Sequence, residues 1–343
     1  MMALALACYN SPVSTRNQIL SILSDGQFHS GTEIGDRLGV SRAAVNKAVK
    51  SLGQNGVDIH CVSGRGYRLD EPRRPVSKEE ILQQLASRED HYREHLHVFD
   101  EIDSTSNFLS TLGDENEGCG TVCIAERQTG GRGRRGRSWI ATPYSNILMS
   151  MAWRYEGGPA MAAGLSLAAG VAVIESLREL GIAGAGLKWP NDVLWQNRKL
   201  AGLLLDVRGE DTGPTRVVLG LGVNVHLREE DSSRIDQPCA DLTSIVGKPV
   251  DRNRLAAILI HQLDNMFDQF VRDGLAAFAG RWQQAHVYHG EAVRVLRGNE
   301  VFEGVVVGID DSGAIQLRDS SGQIHSYHSG EISLRAGEHA AAV

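Results

Sequence analysis

A chain of 343 residues, 42% of them hydrophobic, is long enough for two or three domains with real cores. Its net charge of −7 excludes a protein that coats nucleic acid along its whole surface. Five scattered cysteines (Cys8, Cys61, Cys119, Cys123, Cys239) exclude a disulfide framework, and Cys119–Cys123 lacks the second pair a zinc site needs, so reduced thiols are expected.

The charge is uneven. Residues 1–75 hold nine Lys+Arg and six Asp+Glu, a net of +3, which leaves 26 basic and 36 acidic residues, a net of −10, in 76–343. A basic unit on an acidic body suggests a nucleic-acid module, though a solvated charged face reads the same way. Met1–Ala7 is apolar but lacks a basic flank and is too short for a signal segment. Thr15–Ser24 reads as a helix closed by Gly26. Ser30-Gly-Thr32 opens a second helix with Ile34 and Leu38 inside, and Ser41 caps a third, Arg42–Leu52. That third helix leaves Arg42, Asn46, Lys47 and Lys50 outside. Val57–Val62 and Tyr67–Leu69 then form a hairpin with Arg65 at its tip. Helix, turn, helix and wing make a winged helix. Arg42, Lys47, Lys50 and Arg65 would meet phosphates, and Asn46 or Arg42 base edges; a protein-interaction module has the same outline.

Glu71-Pro-Arg-Arg-Pro75 is a linker, and Ser77 with Glu80 a capping box for the next helix. Leu96–Phe99 is a strand. Asp103-Ser104-Thr105-Ser106-Asn107 sits at a strand-to-helix turn, where hydroxyls cap the helix or bind a ligand. Thr121–Ala125 and Ser145–Trp153 are further strands. Between them the window Arg127–Arg137 packs five arginines and four glycines with no acid. Arginine supplies a fork of donors for phosphate or carboxylate oxygens, and glycine lets the backbone approach closely. Gly131-Arg-Gly133-Arg-Arg-Gly136 matches a dinucleotide fingerprint by letter. No helix is expected after it, so that reading fails.

Gly157–Ile174 is uncharged over 18 residues, the lower limit of a membrane span. It is rich in Ala and Gly and runs into Glu175 and Arg178, so Pro159–Leu180 is expected as a core helix of a cytoplasmic protein with no membrane partner. Lys188-Trp-Pro-Asn191-Asp192 puts an ammonium at a rigid corner. Lys199–Asp206 and Val217–Val225 are strands with interior glycines, Gly202, Gly220 and Gly222, either bulges or points of close approach. His226–Val246 is irregular and holds no obvious aromatic for an adenine. Asn253–Arg272 is an amphipathic helix. From Gly290 four short alternating strands indicate a small barrel.

Taken in order, Asp103-Ser-Thr105, Gln128 with the Arg-Gly loop, Lys188–Asp192, Leu200-Ala-Gly202 and Gly220-x-Gly-x-Asn224 closely resemble the biotin–protein ligases, and the winged helix matches their bifunctional ligase and biotin operon repressor form. Gly330–Arg335 resembles that family's ending. The resemblance implies an α+β chain with a winged helix (1–75), a class II synthetase-like mixed-sheet ligase domain (76–284) and an SH3-like barrel (285–336). It implies a ligase that activates biotin with ATP and Mg2+ to biotinyl-5′-AMP, then biotinylates a lysine of the biotin carboxyl carrier protein of acetyl-CoA carboxylase. It also implies a biotin-responsive repressor on operator DNA, a homodimer when adenylate-bound. Ser104, Thr105, Ser106, Gln128, Gly133, Gly202, Gly220 and Gly222 would hold biotin or its adenylate, with Arg132, Arg134 and Lys188 catalytic. Arg135, Arg137, Asn191 and Asn224 would face the nucleotide, and no tight protein metal site is implied. A non-catalytic biotin sensor and a lipoate–protein ligase are the alternatives.

Overall fold

A computed structural model describes residues 14–70, 73–85, 88–112, 120–297, 300–329 and 332–336. Met1–Ala7, Cys8, the start of the linker (Glu71, Pro72), Cys119, Gly330 and Glu331 lie outside the described residues.

Near the N-terminus, helices Thr15–Leu23, Gly31–Leu38 and Arg42–Gln54 begin at Ser14, Ser30 and Ser41, whose hydroxyls accept from the third N–H beyond at 3.2, 3.0 and 3.2 Å. Ile19, Leu20, Leu23, Ile34, Val45, Val49 and Leu52 close their core. The wing is β1 (Ile59–Val62) paired antiparallel with β2 (Gly66–Leu69). It is fastened to the helices where His29 and Tyr67 exchange backbone hydrogen bonds of 2.9 and 2.8 Å. A Cβ at Gly66 would lie 2.0 Å from the His29 carbonyl oxygen, so that joint requires glycine.

Seven strands form the central sheet: β3 (Leu96–Ile102), β4 (Thr121–Gln128), β5 (Ile147–Tyr155), β6 (Ala185–Lys188), β7 (Asp192–Trp195), β8 (Arg198–Gly209) and β9 (Thr215–Val223). Their order is β3-β4-β5-β9-β8-β7-β6; β3 and β4 are parallel and the other neighbours antiparallel. Alternation sorts the side chains. Val122, Ile124, Met151, Trp153, Leu219 and Leu221 join the main core with helices Leu165–Glu179 and Arg252–Asp273, where Trp153 stacks on Phe267 at 4.5 Å. Cys123, Ala152 and Val218 point the other way, against Phe108 and Leu109 of helix Thr105–Thr111. The site is built on this second face.

Two local expectations change. Pro159–Leu180 is not one helix: a 3-10 turn, Pro159–Ala162, precedes Leu165–Glu179, and the break is Gly164 at φ 81°. The longer stretch is apolar enough to pass as a membrane span, yet most of it is buried inside the protein. The capping box at Ser77 is half made. Ser77 Oγ accepts from Glu80 N–H at 3.3 Å, but the Ser77 N–H donates to Asn253 Oδ1 at 2.8 Å.

The C-terminal strands β10 (Ala292–Arg297), β11 (Glu300–Ile309), β12 (Ile315–Arg318), β13 (Ile324–Tyr327) and β14 (Ile332–Ala336) form an antiparallel sheet in the order β13-β12-β11-β10-β14. It packs on the corner after β6, where Trp189 Nε1 donates to the Gly313 carbonyl at 3.0 Å.

Burial sets one acid sensitivity. His286, 5% exposed and stacked on Trp282, is pushed down to about 3, and burial lowers His97 to about 4. Unfolded histidines bind protons near pH 6.5, so the unfolded chain takes up protons that the native one refuses, and stability falls as pH drops below about 6.5. Thermal melts of wild type should lose more between pH 7 and 5 than those of His286→Phe, which keeps the stack. Equal losses would refute the assignment.

Candidate active site

The Arg-Gly segment folds back on itself. Gly133 N–H donates to the Arg137 carbonyl at 2.7 Å and Trp139 N–H to Gly131 at 3.0 Å. Arg134–Gly136 is a single 3-10 turn with Arg135 at φ 58°, so no helix follows the glycines and the dinucleotide reading is excluded. Downstream the segment is anchored at Tyr144, which enters the winged-helix core and donates its hydroxyl to Asp100, itself bridged to Arg16 at 2.5 Å.

All fifteen site residues expected between Ser104 and Asn224 line one cavity of about 470 Å³. That is the size of a pocket for a small ligand. Its two ends differ in chemistry. At one, Ser104, Thr105 and Ser106 are buried in the first turn of helix Thr105–Thr111, and Gln128 Oε1 accepts from Thr105 N–H at 2.8 Å. This end is neutral and rich in hydroxyls. Toward the end of β6 the lining is cationic, with Arg134, Arg135, Arg137 and Lys188, while Arg132 of the same Arg-Gly segment is tied to Asn107 of the hydroxyl-bearing helix.

The cations are held by specific partners. Arg132 donates to Asn107 Oδ1 at 2.7 Å and lies 3.7 Å from Asp206. Arg134 donates to Asn191 Oδ1 at 3.2 Å and to the Ser329 carbonyl, linking the segment to the C-terminal unit. Burial and then neighbouring Arg135 lower the Arg134 pKa. Its positive charge is therefore penalised until an anion arrives. Asn224 is 2% exposed and ties β8 to the following wall, its Nδ2 lying 3.2 Å from both the Lys199 and Ala240 carbonyls.

Lys199, Trp139 and Ser150 also line the cavity, and the sequence did not single them out. Lys199 Nζ pairs with Asp192 Oδ1 at 2.8 Å, both largely shielded from water. The Trp139 indole lies on the trough formed by Gly202 and Gly222, where an added Cβ would come within 2.9 and 2.4 Å of it. The close approach read from those glycines is thus made by a side chain of the chain itself. One visible signal was Ser150, a lone hydroxyl in the apolar run Ile147–Trp153.

The winged-helix residues sit apart from this cavity. Arg42, Asn46, Lys47 and Lys50 are exposed along one helix, and Arg65 is exposed at the wing turn with its guanidinium 4.3 Å from the Phe28 ring centroid.

Fold and cavity together define a winged helix-turn-helix module joined to a mixed-sheet domain whose cavity sets cations beside a neutral, hydroxyl-lined pocket. Residues 98–224 match the model of the biotin/lipoate A/B protein ligase family, 288–335 the biotin protein ligase C-terminal domain, and 15–68 an HTH domain. The chain is 39% identical to the bifunctional ligase/repressor BirA of Escherichia coli K12, over 94% of this chain and 97% of that one. It is 35% identical to the biotin–[acetyl-CoA-carboxylase] ligase of Mycobacterium tuberculosis, over 77% and 97%. Among solved structures, biotin protein ligase from Aquifex aeolicus in complex with biotin and ATP superposes with a TM-score of 0.60 at 29% identity, covering 71% of this chain and 99% of that one. The chain belongs to the biotin protein ligase family, in its form with an N-terminal helix-turn-helix.

Proposed function

We propose that the chain couples biotin to ATP, giving biotinyl-5′-adenylate and pyrophosphate, and then passes biotin to a lysine of the biotin carboxyl carrier protein of acetyl-CoA carboxylase. The observation that supports this most directly is the two-ended cavity. A neutral hydroxyl end suits a small polar ring, and a cationic end suits a carboxylate beside a triphosphate.

In the first step a biotin carboxylate oxygen attacks the α-phosphorus and pyrophosphate leaves. Two anions must meet, and charge grows on the phosphate oxygens in the transition state. Arg132, Arg134 and Lys188 stabilise that charge, and fixed donors of this kind supply most of the rate enhancement in many enzymes; Arg135, Arg137, Asn191 and Asn224 face the nucleotide. In the second step the lysine amine attacks the mixed anhydride and AMP departs. No side-chain nucleophile is needed. Among the described residues no three or more metal-ligating side chains cluster. A magnesium ion carried by the triphosphate would keep most of its waters and need few protein ligands; Asp192, paired with Lys199, and Asp236 are carboxylates at the cavity wall that could hold it, and the ion would add positive charge at the phosphates.

The winged helix (1–75) is assigned to operator DNA, and its control to biotin supply: adenylate-bound chains pair as homodimers and then bind a two-fold site. The ligase unit is 76–284 and the barrel 285–336, in a cytoplasmic protein. Lys50→Ala should weaken binding to any duplex about equally and lower the slope of log affinity against log salt by about 1. A wild-type slope would remove Lys50 from the phosphate contacts.

Biotin-dependent exchange of pyrophosphate into ATP tests the enzyme. Biotin binding without exchange would make the central domain a sensor, and exchange with lipoate alone would make it a lipoate enzyme.

A further inference from the structure

The hydroxyls at the neutral end are linked in a fixed direction. Gln128 Oε1 accepts from the Thr105 backbone N–H at 2.8 Å. A backbone N–H only donates, so the carboxamide oxygen, not its nitrogen, must face it. Thr105 Oγ1 lies 3.1 Å from the same oxygen, and a carbonyl oxygen only accepts, so the single Thr105 hydroxyl proton is used there. At 2.7 Å from Ser150 Oγ, Thr105 therefore accepts and Ser150 donates. Ser150 has then used its proton, and at 2.9 Å Ser106 donates to it. The chain runs Ser106 to Ser150 to Thr105 to Gln128.

We propose that Ser150 is a positioning residue whose relay locks the Gln128 carboxamide with its NH2 toward the ligand. Ser150 is 1% exposed, Thr105 2% and Ser106 7%, so bulk water does not substitute for a missing hydroxyl. The relay crosses from helix to sheet at the place where Ser150 pairs with Gly220. A Cβ at Gly220 would sit 3.0 Å from Ser106 Oγ, and glycine there leaves the crossing open.

The consequence is specificity, and it rests on the biotin reading above. Both Gln128 amide N–H groups remain for a ligand, since no described residue accepts them. This end then selects a head group with a strong acceptor. The cyclic urea carbonyl of biotin is one; the dithiolane of lipoate offers weakly accepting sulfur.

Pyrophosphate exchange by wild type, Ser150→Ala, Ser150→Cys and Ser106→Ala tests the relay. In Ser150→Ala the Thr105 hydroxyl loses the donor that fixes its proton on Gln128, and only the Thr105 N–H still holds the carboxamide firmly, so KM for biotin should rise about 10-fold while kcat and KM for ATP stay within about threefold. Ser106→Ala should do less, because the Ser150 proton still reaches Thr105. A biotin KM within about twofold of wild type in Ser150→Ala, or equal losses in kcat and KM for ATP, would overturn the relay. If that variant does not fold, Ser150→Cys decides: a weak thiol donor should give an intermediate KM, and a wild-type KM refutes the proposal. Wild type is assayed first. No biotin-dependent exchange there overturns the biotin reading and the specificity claim with it, whereas exchange by wild type with an unaltered Ser150→Ala overturns the relay alone.

Discussion

Arg134→Gly should raise the rate at which biotinyl-adenylate leaves the protein about 10- to 100-fold, while KM for biotin changes by less than about threefold. The asymmetry follows from where Arg134 stands. Its guanidinium closes the cationic end, spanning from Asn191 to the Ser329 carbonyl of the C-terminal unit. The hydroxyl end, with Thr105 and Gln128, does not touch it. With the adenylate placed as proposed, glycine removes a charge beside its phosphate and the clasp between the Arg-Gly segment and the C-terminal unit, and leaves the hydroxyl end built. Loss of one charge-assisted hydrogen bond alone accounts for about 1.5–3 kcal/mol. A chase of pre-formed labelled adenylate with excess unlabelled ligand reads the release rate directly. A wild-type release rate would show that the clasp does not retain the intermediate.

This clasp was half visible in the sequence. The run Gly130–Arg137 announces an anion-binding loop because its composition is extreme, and the hydroxyls after Asp103 announce a helix start. Nothing in Ser329 marks it as a partner, since a backbone carbonyl is available at any residue. Trp139 was hidden differently. A tryptophan after an arginine-rich loop reads as ordinary packing, and its seat between Gly202 and Gly222 exists only because β8 and β9 place those glycines opposite each other. Lys199 begins a strand and reads as a solvated end until the fold sets Asp192 across from it. The strands themselves were legible from alternation, and the long helix from its apolar face. Joints between units were not. Tyr144 belongs by sequence to the ligase unit and by packing to the winged-helix core, at φ 58°, a conformation that no side-chain pattern signals.

The largest loss of stability is expected from Arg252→Met. Arg252 and Glu126 form a two-pronged pair, Nη1 to Oε2 at 2.7 Å and Nη2 to Oε1 at 3.0 Å, with side chains 6% and 0% exposed. The same guanidinium donates to the Asn146 carbonyl at 3.1 Å and the Arg74 carbonyl at 2.6 Å, and Glu126 Oε1 accepts from Val76 N–H at 2.5 Å. One ion pair thus joins the linker after the winged helix, β4 two residues before Gln128, the turn into β5 and the long helix Arg252–Asp273. Methionine fills most of the volume but strands a carboxylate without its cation. Breaking one side of such a pair costs about 3–5 kcal/mol, which in a unit of this size lowers the apparent Tm by roughly 10 °C. The double variant Glu126→Gln/Arg252→Met removes both charges, so it should regain much of the loss, because the penalty lies in the unpaired charge rather than in the missing attraction. A double variant no more stable than Arg252→Met would place the cost in packing instead. The site should feel the same change: Glu126 and Gln128 share a strand, so a pair that holds β4 in place also holds the carboxamide that faces the ligand.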